Sequence, residues 1–176
     1  MLPRLLMVSL IFFPLLACKR SEEVAPAQPT VAPVEVGGHT YVKPEGMLFD
    51  VLRIVGRPVE VVEGTELGAQ LGAMLEEIRL PGVRGIETRY EHATLRVARG
   101  VIYSAVYTFD PPVNRVLALQ QLGMPGGMGP MRVRQNEFRI ERPRFGVRRV
   151  VMTRVSPDSD DVSQVEVWSL IPNEIY

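Results

Sequence analysis

Val101-Ile102-Tyr103-Ser104-Ala105-Val106-Tyr107-Thr108-Phe109 is the stretch on which the fold turns. β-Branched and aromatic residues dominate it, and it is apolar at odd and even positions alike. A strand presents successive side chains to opposite faces, so one that is apolar on both belongs in the middle of a sheet, with helices over one side. Just before it, Arg99-Gly100 is turn chemistry. Thr94 to Ala98 and Ile86 to Ala93 carry the same Tyr, Thr, Val and Ile bias, and together these predict an antiparallel meander. Asp110-Pro111-Pro112 is expected to break the strand at its far end.

Upstream the period becomes helical. Met47, Leu48, Val51, Leu52 and Val55 share one face of a helix starting near Gly46, and Gly56 and Pro58 supply its stop. A second helix is expected from an N-cap at Thr65. Leu67, Leu71, Met74, Leu75 and Ile78 would form its buried stripe, Pro81-Gly82 its end, and Gly68, Ala69, Gly72 and Ala73 a small-residue flank for close packing. Downstream, Asn114 can cap a short helix carrying Val116, Leu117, Leu119 and Leu122 up to Gly123. Strands return at about residues 132–140, 147–155 and 165–171, the last two joined by the acidic turn Pro157-Asp158-Ser159-Asp160-Asp161. The fold class is therefore α+β, with antiparallel meanders packed against short helices in a domain over residues 39–176. The element order, and the recurrence of Val55-Gly56-Arg57-Pro58 as Leu122-Gly123-Met124-Pro125, suggest two related halves, 46–109 and 110–176.

The N-terminus sets the address. Arg4 precedes an apolar run from Leu5 to Leu16 that closes on Leu15-Leu16-Ala17-Cys18. About twelve apolar residues interrupted by Pro14 fall short of the roughly twenty that span a bilayer. A retained anchor and an ordinary cleaved signal with an incidental cysteine are the alternatives. The run resembles the lipobox of bacterial lipoproteins. The resemblance implies a signal peptide over residues 1–17, cleavage between Ala17 and Cys18, and a membrane anchor through acylated Cys18. Cys18 is the only cysteine, so no other thiol serves disulfides, metal binding or nucleophilic catalysis. Residues 18–38 read as a tether: Pro26, Pro29 and Pro33 favour polyproline geometry at about 3.1 Å per residue, a reach of roughly 60 Å. Lys19 in place of Asp after the cysteine implies, by the same resemblance, the periplasmic face of the outer membrane of a Gram-negative host. Once Arg4 leaves with the leader, nineteen basic residues face twenty acidic ones, and no global field recruits nucleic acid.

Catalysis finds little support in the inventory. His39 lies on the tether side and His92 stands alone, with no metal-ligating pair and no Ser-His-Asp set; Glu76 and Glu77, on different faces of the expected helix, read as solvated charge. The loop from Gly123 to Met131 carries Met124, Met128 and Met131. Their thioethers could ligate a soft ion, but without His or Cys they read as an adaptable contact surface, and no cofactor or metal is expected. Between Arg132 and Arg154 lie eight arginines against Glu137 and Glu141. Arg142, Arg144, Arg148 and Arg149 are the candidates for contact with an anionic partner; the alternative is a solvated face neutralised by Asp158, Asp160, Asp161 and Glu166.

Gly46-Met47, Val51, Val55-Gly56-Arg57-Pro58, Leu95-Arg96-Val97 and Gly100-Val101 together resemble the small outer-membrane lipoprotein accessory of the β-barrel assembly machine. They also resemble the wider helix-helix-three-strand group that includes proteinaceous β-lactamase inhibitors. The resemblance covers residues 46–109 and implies protein binding without catalytic residues. The expected function is thus a membrane-anchored, non-enzymatic module for an envelope protein partner. The alternative is a carrier or sensor for a small apolar or lipidic ligand held between sheet and helices.

Overall fold

The computed structural model describes residues 33–36, 38–81, 85–125, 128–141, 143 and 145–169, and the statements below concern these. The expected signal peptide, the Ala17–Cys18 junction, the tether before Pro33, and Arg142 and Arg144 lie outside them.

In chain order, a hairpin of β1 (Val34–Val36) and β2 (His39–Tyr41) is followed by three short helices, α1 (Val51–Ile54), α2 (Val59–Glu63) and α3 (Glu66–Ala69). Then come β3 (Met74–Leu80), β4 (Gly85–Tyr90), β5 (Thr94–Ala98) and β6 (Val101–Asn114). After α4 (Arg115–Gln121) the chain adds β7 (Met131–Val133), β8 (Glu137–Glu141), β9 (Val147–Arg154) and β10 (Asp161–Ser169). The last eight strands form one antiparallel sheet in the order β3-β4-β5-β6-β10-β9-β8-β7. The architecture is a sheet-rich α+β fold. Two four-stranded meanders meet along their final strands, which puts β6 in the middle, as its two-sided apolarity requires.

Residues directly opposite across a ladder share a face. One row, Thr88, Leu95, Ala105, Val167, Val150 and Ile140, crosses six strands and is buried throughout; Tyr107, Val165, Met152 and Phe138 form the next. This is the core side, with α1 packed on β6 and α4 on both β6 and β10. The opposite side carries Glu76, Arg89, Thr94, Val106, Glu166, Val151 and Arg139 in one row, and Ile78, Glu87, Arg96, Ser104, Trp168, Arg149 and Glu141 in another.

Several expectations are corrected. Thr65 does cap a helix, its Oγ1 accepting from Leu67 N at 3.3 Å, but that helix ends at Ala69. Gly72, at φ +79°, turns the chain, and a Cβ there would meet Glu91 Cβ at 2.8 Å, so residues 74–80 leave the helical path and pair with β4. Leu67 and Leu71 are buried as expected, whereas Met74 and Leu75 are 60% and 66% exposed. Upstream, residues 47–50 form no helix: Leu48 N and Phe49 N both donate to Gln121 O, which leaves one turn of helix before Gly56.

Asp110-Pro111-Pro112 does not end β6. The prolines lie across from the register shift between Val162 and Gln164, where ladder donors are not required, and pairing resumes as Val113 with Val162 and Asn114 with Asp161. Asn114 then caps α4, its Oδ1 accepting from Val116 N at 3.0 Å, as the sequence predicts. The single strand expected over 132–140 is a hairpin, closed by Arg134 N donating to Glu137 O at 2.8 Å. The first meander therefore has four strands after three short helices, in place of the helix-helix-three-strand order implied by the resemblance.

Candidate interaction face

Period-two alternation gathers the charged residues of several strands on the open face, where they form a ladder. Glu76 Oε2 accepts from Arg89 Nη1 at 2.9 Å, Arg89 reaches Glu87 at 3.4 Å, and Arg96 Nε donates to the other Glu87 oxygen at 3.0 Å. Arg96 also contacts Glu166, which accepts from Ser104 Oγ at 3.1 Å. Burial works against the charge of Arg96, but the hydrogen bond to Glu87 and the charges of Glu166 and Glu87 outweigh it and hold its pKa above the ordinary value. Satisfied along its length, this ladder offers little to an external ion.

Three of the arginines between 132 and 154, Arg134, Arg139 and Arg154, are likewise engaged within the chain. Arg139 pairs with Glu137 at 2.6 Å and Glu141 at 3.4 Å, and Arg134 approaches Glu137 at 3.7 Å. Arg154 donates to the carbonyls of Ser159 at 2.9 Å and Arg134 at 3.0 Å, with its guanidinium 4.6 Å from the Phe138 ring centroid. The expected neutralising acids are thus replaced by Glu137 and Glu141, which strand pairing brings closer. Asp160 instead approaches Arg115 at 3.5 Å, and Glu166 serves Arg96.

Among the described residues, Arg132, exposed on the three-residue strand β7, and Arg148 and Arg149 remain. The register shift opposite Trp168 and Ser169 leaves Arg148 bulged and exposed, with no carboxylate among the described residues within ion-pair distance. Arg149 pairs with Trp168 across the ladder, its guanidinium carbon 4.9 Å from the indole centroid, and the indole lies 5.8 Å from the ring of Tyr103. Arg149 Nε and Trp168 Nε1 are both buried, and neither finds a hydrogen-bond acceptor among the described residues. A buried donor without an acceptor costs about 1–3 kcal/mol, and here two lie in adjacent side chains. Tyr103 and Trp168 were not singled out in the sequence; their aromatic character was legible, but the cross-strand register that assembles them was not.

Met124 and Met128 do not lie on an exposed contact surface. Met124 and Met128 are 2% and 3% exposed and belong to the core, while half-buried Met131 lies beside the Arg115 guanidinium, Sδ to Nη1 3.9 Å. Packing on the core side of a small domain consumes the adaptable thioethers.

A second polar group lies under α1. The Asp50 carboxylate, its side chain 1% exposed, approaches Lys43 Nζ at 2.6 Å and Arg53 Nη1 at 3.6 Å. The Lys43 contact lies off the hydrogen-bonding direction, so it is ionic, and neither Asp50 oxygen completes a directional hydrogen bond. The Tyr41 and Tyr107 hydroxyls are buried without partners. Burial first, and then the Asp50 charge, pushes Tyr41 up to about 12; the same two causes raise Tyr107. The group ties the segment after β2 to the core. His92 lies apart, exposed, with its ring 6.2 Å from Phe49.

A cavity of about 370 Å³ opens at the end of the first meander, lined by Arg79, Leu80, Gly85, Ile86, Val97, Arg99 and Gly100. These residues all come from the sheet and its turns, so the cavity does not lie between sheet and helices, where an apolar ligand was expected. No family model, no curated protein and no solved structure matches the chain.

Proposed function

We propose that this chain is a lipid-anchored envelope lipoprotein, exported on residues 1–17, acylated at Cys18 and held by its tether at the periplasmic face of the outer membrane. There it acts as a non-enzymatic module that binds an envelope protein through the Arg149–Trp168–Tyr103 shelf and neighbouring Arg148. The observation that carries the reading is the pair of donors without acceptors at Arg149 Nε and Trp168 Nε1. Once the two side chains turn outward, an acidic or carbonyl-rich partner segment would supply what they lack, and Trp, Tyr and Arg are the side chains that most often anchor interfaces. The lipobox-like end at Ala17-Cys18 supports the address, and the resemblance of residues 46–109 to an envelope accessory supports a protein partner.

The same reading treats the two meanders as related halves, divided at Asn114 and Arg115, since β6 runs on to Asn114. Each half passes from helix to four strands and contributes its last strand to the centre of the sheet. Site-specific crosslinking from Arg148 in intact cells, with and without the shelf side chains, tests the function directly.

A further inference from the structure

We propose that β3 is a self-recognition edge, and that its occupant is the β3 strand of a second copy of this chain, laid antiparallel about a twofold axis through Ile78. Among the described residues β3 pairs with β4 alone and ends the sheet, so its other side presents peptide groups without strand partners over seven residues. The opposite edge, β7, has only three.

The ladder with β4 fixes which way the side chains face. Glu76 and Ile78 lie opposite Arg89 and Glu87, on the open side; Glu77 and Arg79 lie opposite Thr88 and Ile86, on the core side of the sheet, where both are exposed. Two copies that keep their open faces on one side must pair residues of like face, so the twofold passes through a residue. An axis through Glu76 or Glu77 sets that carboxylate against its own copy, and an axis through Arg79 sets guanidinium against guanidinium; like charges directly opposite are destabilising. An axis through Ile78 avoids all three. It places Ile78 against Ile78, Glu76 against Leu80, and Glu77 against Arg79 of the second copy, the last pairing occurring twice.

Charged edges normally repel a second strand. This one is self-complementary, because the acid and the base flank the axis symmetrically. Among the described residues, neither Glu77 nor Arg79 makes an ion pair within the chain, so both are available. The irregularity between Met74 and Glu76 leaves Glu76 to Leu80 as the regular part of the strand, and the Ile78-centred register pairs that part in full. It also lays Pro81 of one copy against exposed Leu75 of the other. This inference is independent of the shelf, which lies on other strands.

The test uses the full chain in detergent. Directly opposed Cβ atoms lie about 4.5–5.5 Å apart, close to disulfide reach, so oxidation of Ile78→Cys should give a covalent dimer that the unsubstituted chain, which controls for Cys18, does not. In sedimentation, Glu77→Arg and Arg79→Glu should each weaken association about tenfold or more, and the double exchange should restore it. Circular dichroism checks that each variant keeps its sheet, and the Ile78→Cys result stands even if a charge variant does not. Lack of the covalent dimer, a double exchange that fails to restore association, or an Ile78→Cys crosslink to a different protein in place of a second copy would overturn the proposal.

Discussion

The Arg149 guanidinium lies 4.9 Å from the Trp168 ring centroid, and the two side chains share a property rare in folded proteins, a buried nitrogen donor with no acceptor. Strand pairing holds them together on the open face, so the arrangement is a product of register. Removing either side chain should change recognition more than stability. Arg149→Ala loses a cation–π contact of about 0.5–1 kcal/mol at a part-exposed site, while relieving one unsatisfied donor. Trp168 is the only tryptophan, so its emission reports on the shelf without labelling. The expected outcome is a shifted emission maximum and a melting temperature changed by only a few degrees; a loss of the cooperative transition would make the pair structural instead.

Core and edge should separate cleanly under truncation. Leu95 is fully buried in the central row, and Leu95→Ala should cost about 2–5 kcal/mol. Leu75 is exposed on the edge, and Leu75→Ala should stay within about 0.5 kcal/mol. Denaturant titration of both variants measures the difference. Comparable losses would favour the helical reading of residues 65–78, in which Leu75 belongs to a buried stripe.

That contrast shows how far the sequence reaches. The two-sided apolarity of residues 101–109 correctly placed the central strand, and Asn114 correctly capped α4, because both signals are local. Met74, Leu75 and Ile78 continue the spacing of Leu67 and Leu71, so a helical period extends over residues that form an edge strand. The left-handed backbone at Gly72 decides against the helix, and a glycine in a helical pattern does not announce its φ. The shelf was half visible. Arg149 could be named from the arginine density, but Trp168 and Tyr103 join it only through a strand order that pairs β10 with both β9 and β6.

Alkaline titration should reveal the buried tyrosines. Tyr41 is pushed up to about 12 from an ordinary value of 10.0, chiefly by burial and then by Asp50, and Tyr107 is raised by the same causes. A phenol with a raised folded pKa favours its neutral form in the native state. Its contribution is fully present below the ordinary value and is lost as pH rises through the folded one. Stability should therefore decline between about pH 10 and 12, and Tyr41→Phe should flatten that decline. An unchanged slope in the variant would remove Tyr41 as the cause.

The anchor has its own test. Cys18→Ser should block acylation and leave unprocessed precursor or a soluble form, read by metabolic lipid labelling and membrane fractionation. A variant that still fractionates with the outer membrane like the parent would contradict attachment through Cys18.

The most direct test of the interaction reading places a photo-crosslinking residue at Arg148 of the full-length protein and irradiates intact cells. The expected result is one dominant partner band, weakened by rising salt because the Debye length shrinks from about 10 Å at 0.1 M to about 3 Å at 1 M, and lost when Arg149→Ala and Trp168→Phe are combined. A band of equal strength in the double variant, or no protein captured from Arg148 at all, would contradict the assignment of the shelf as the contact surface.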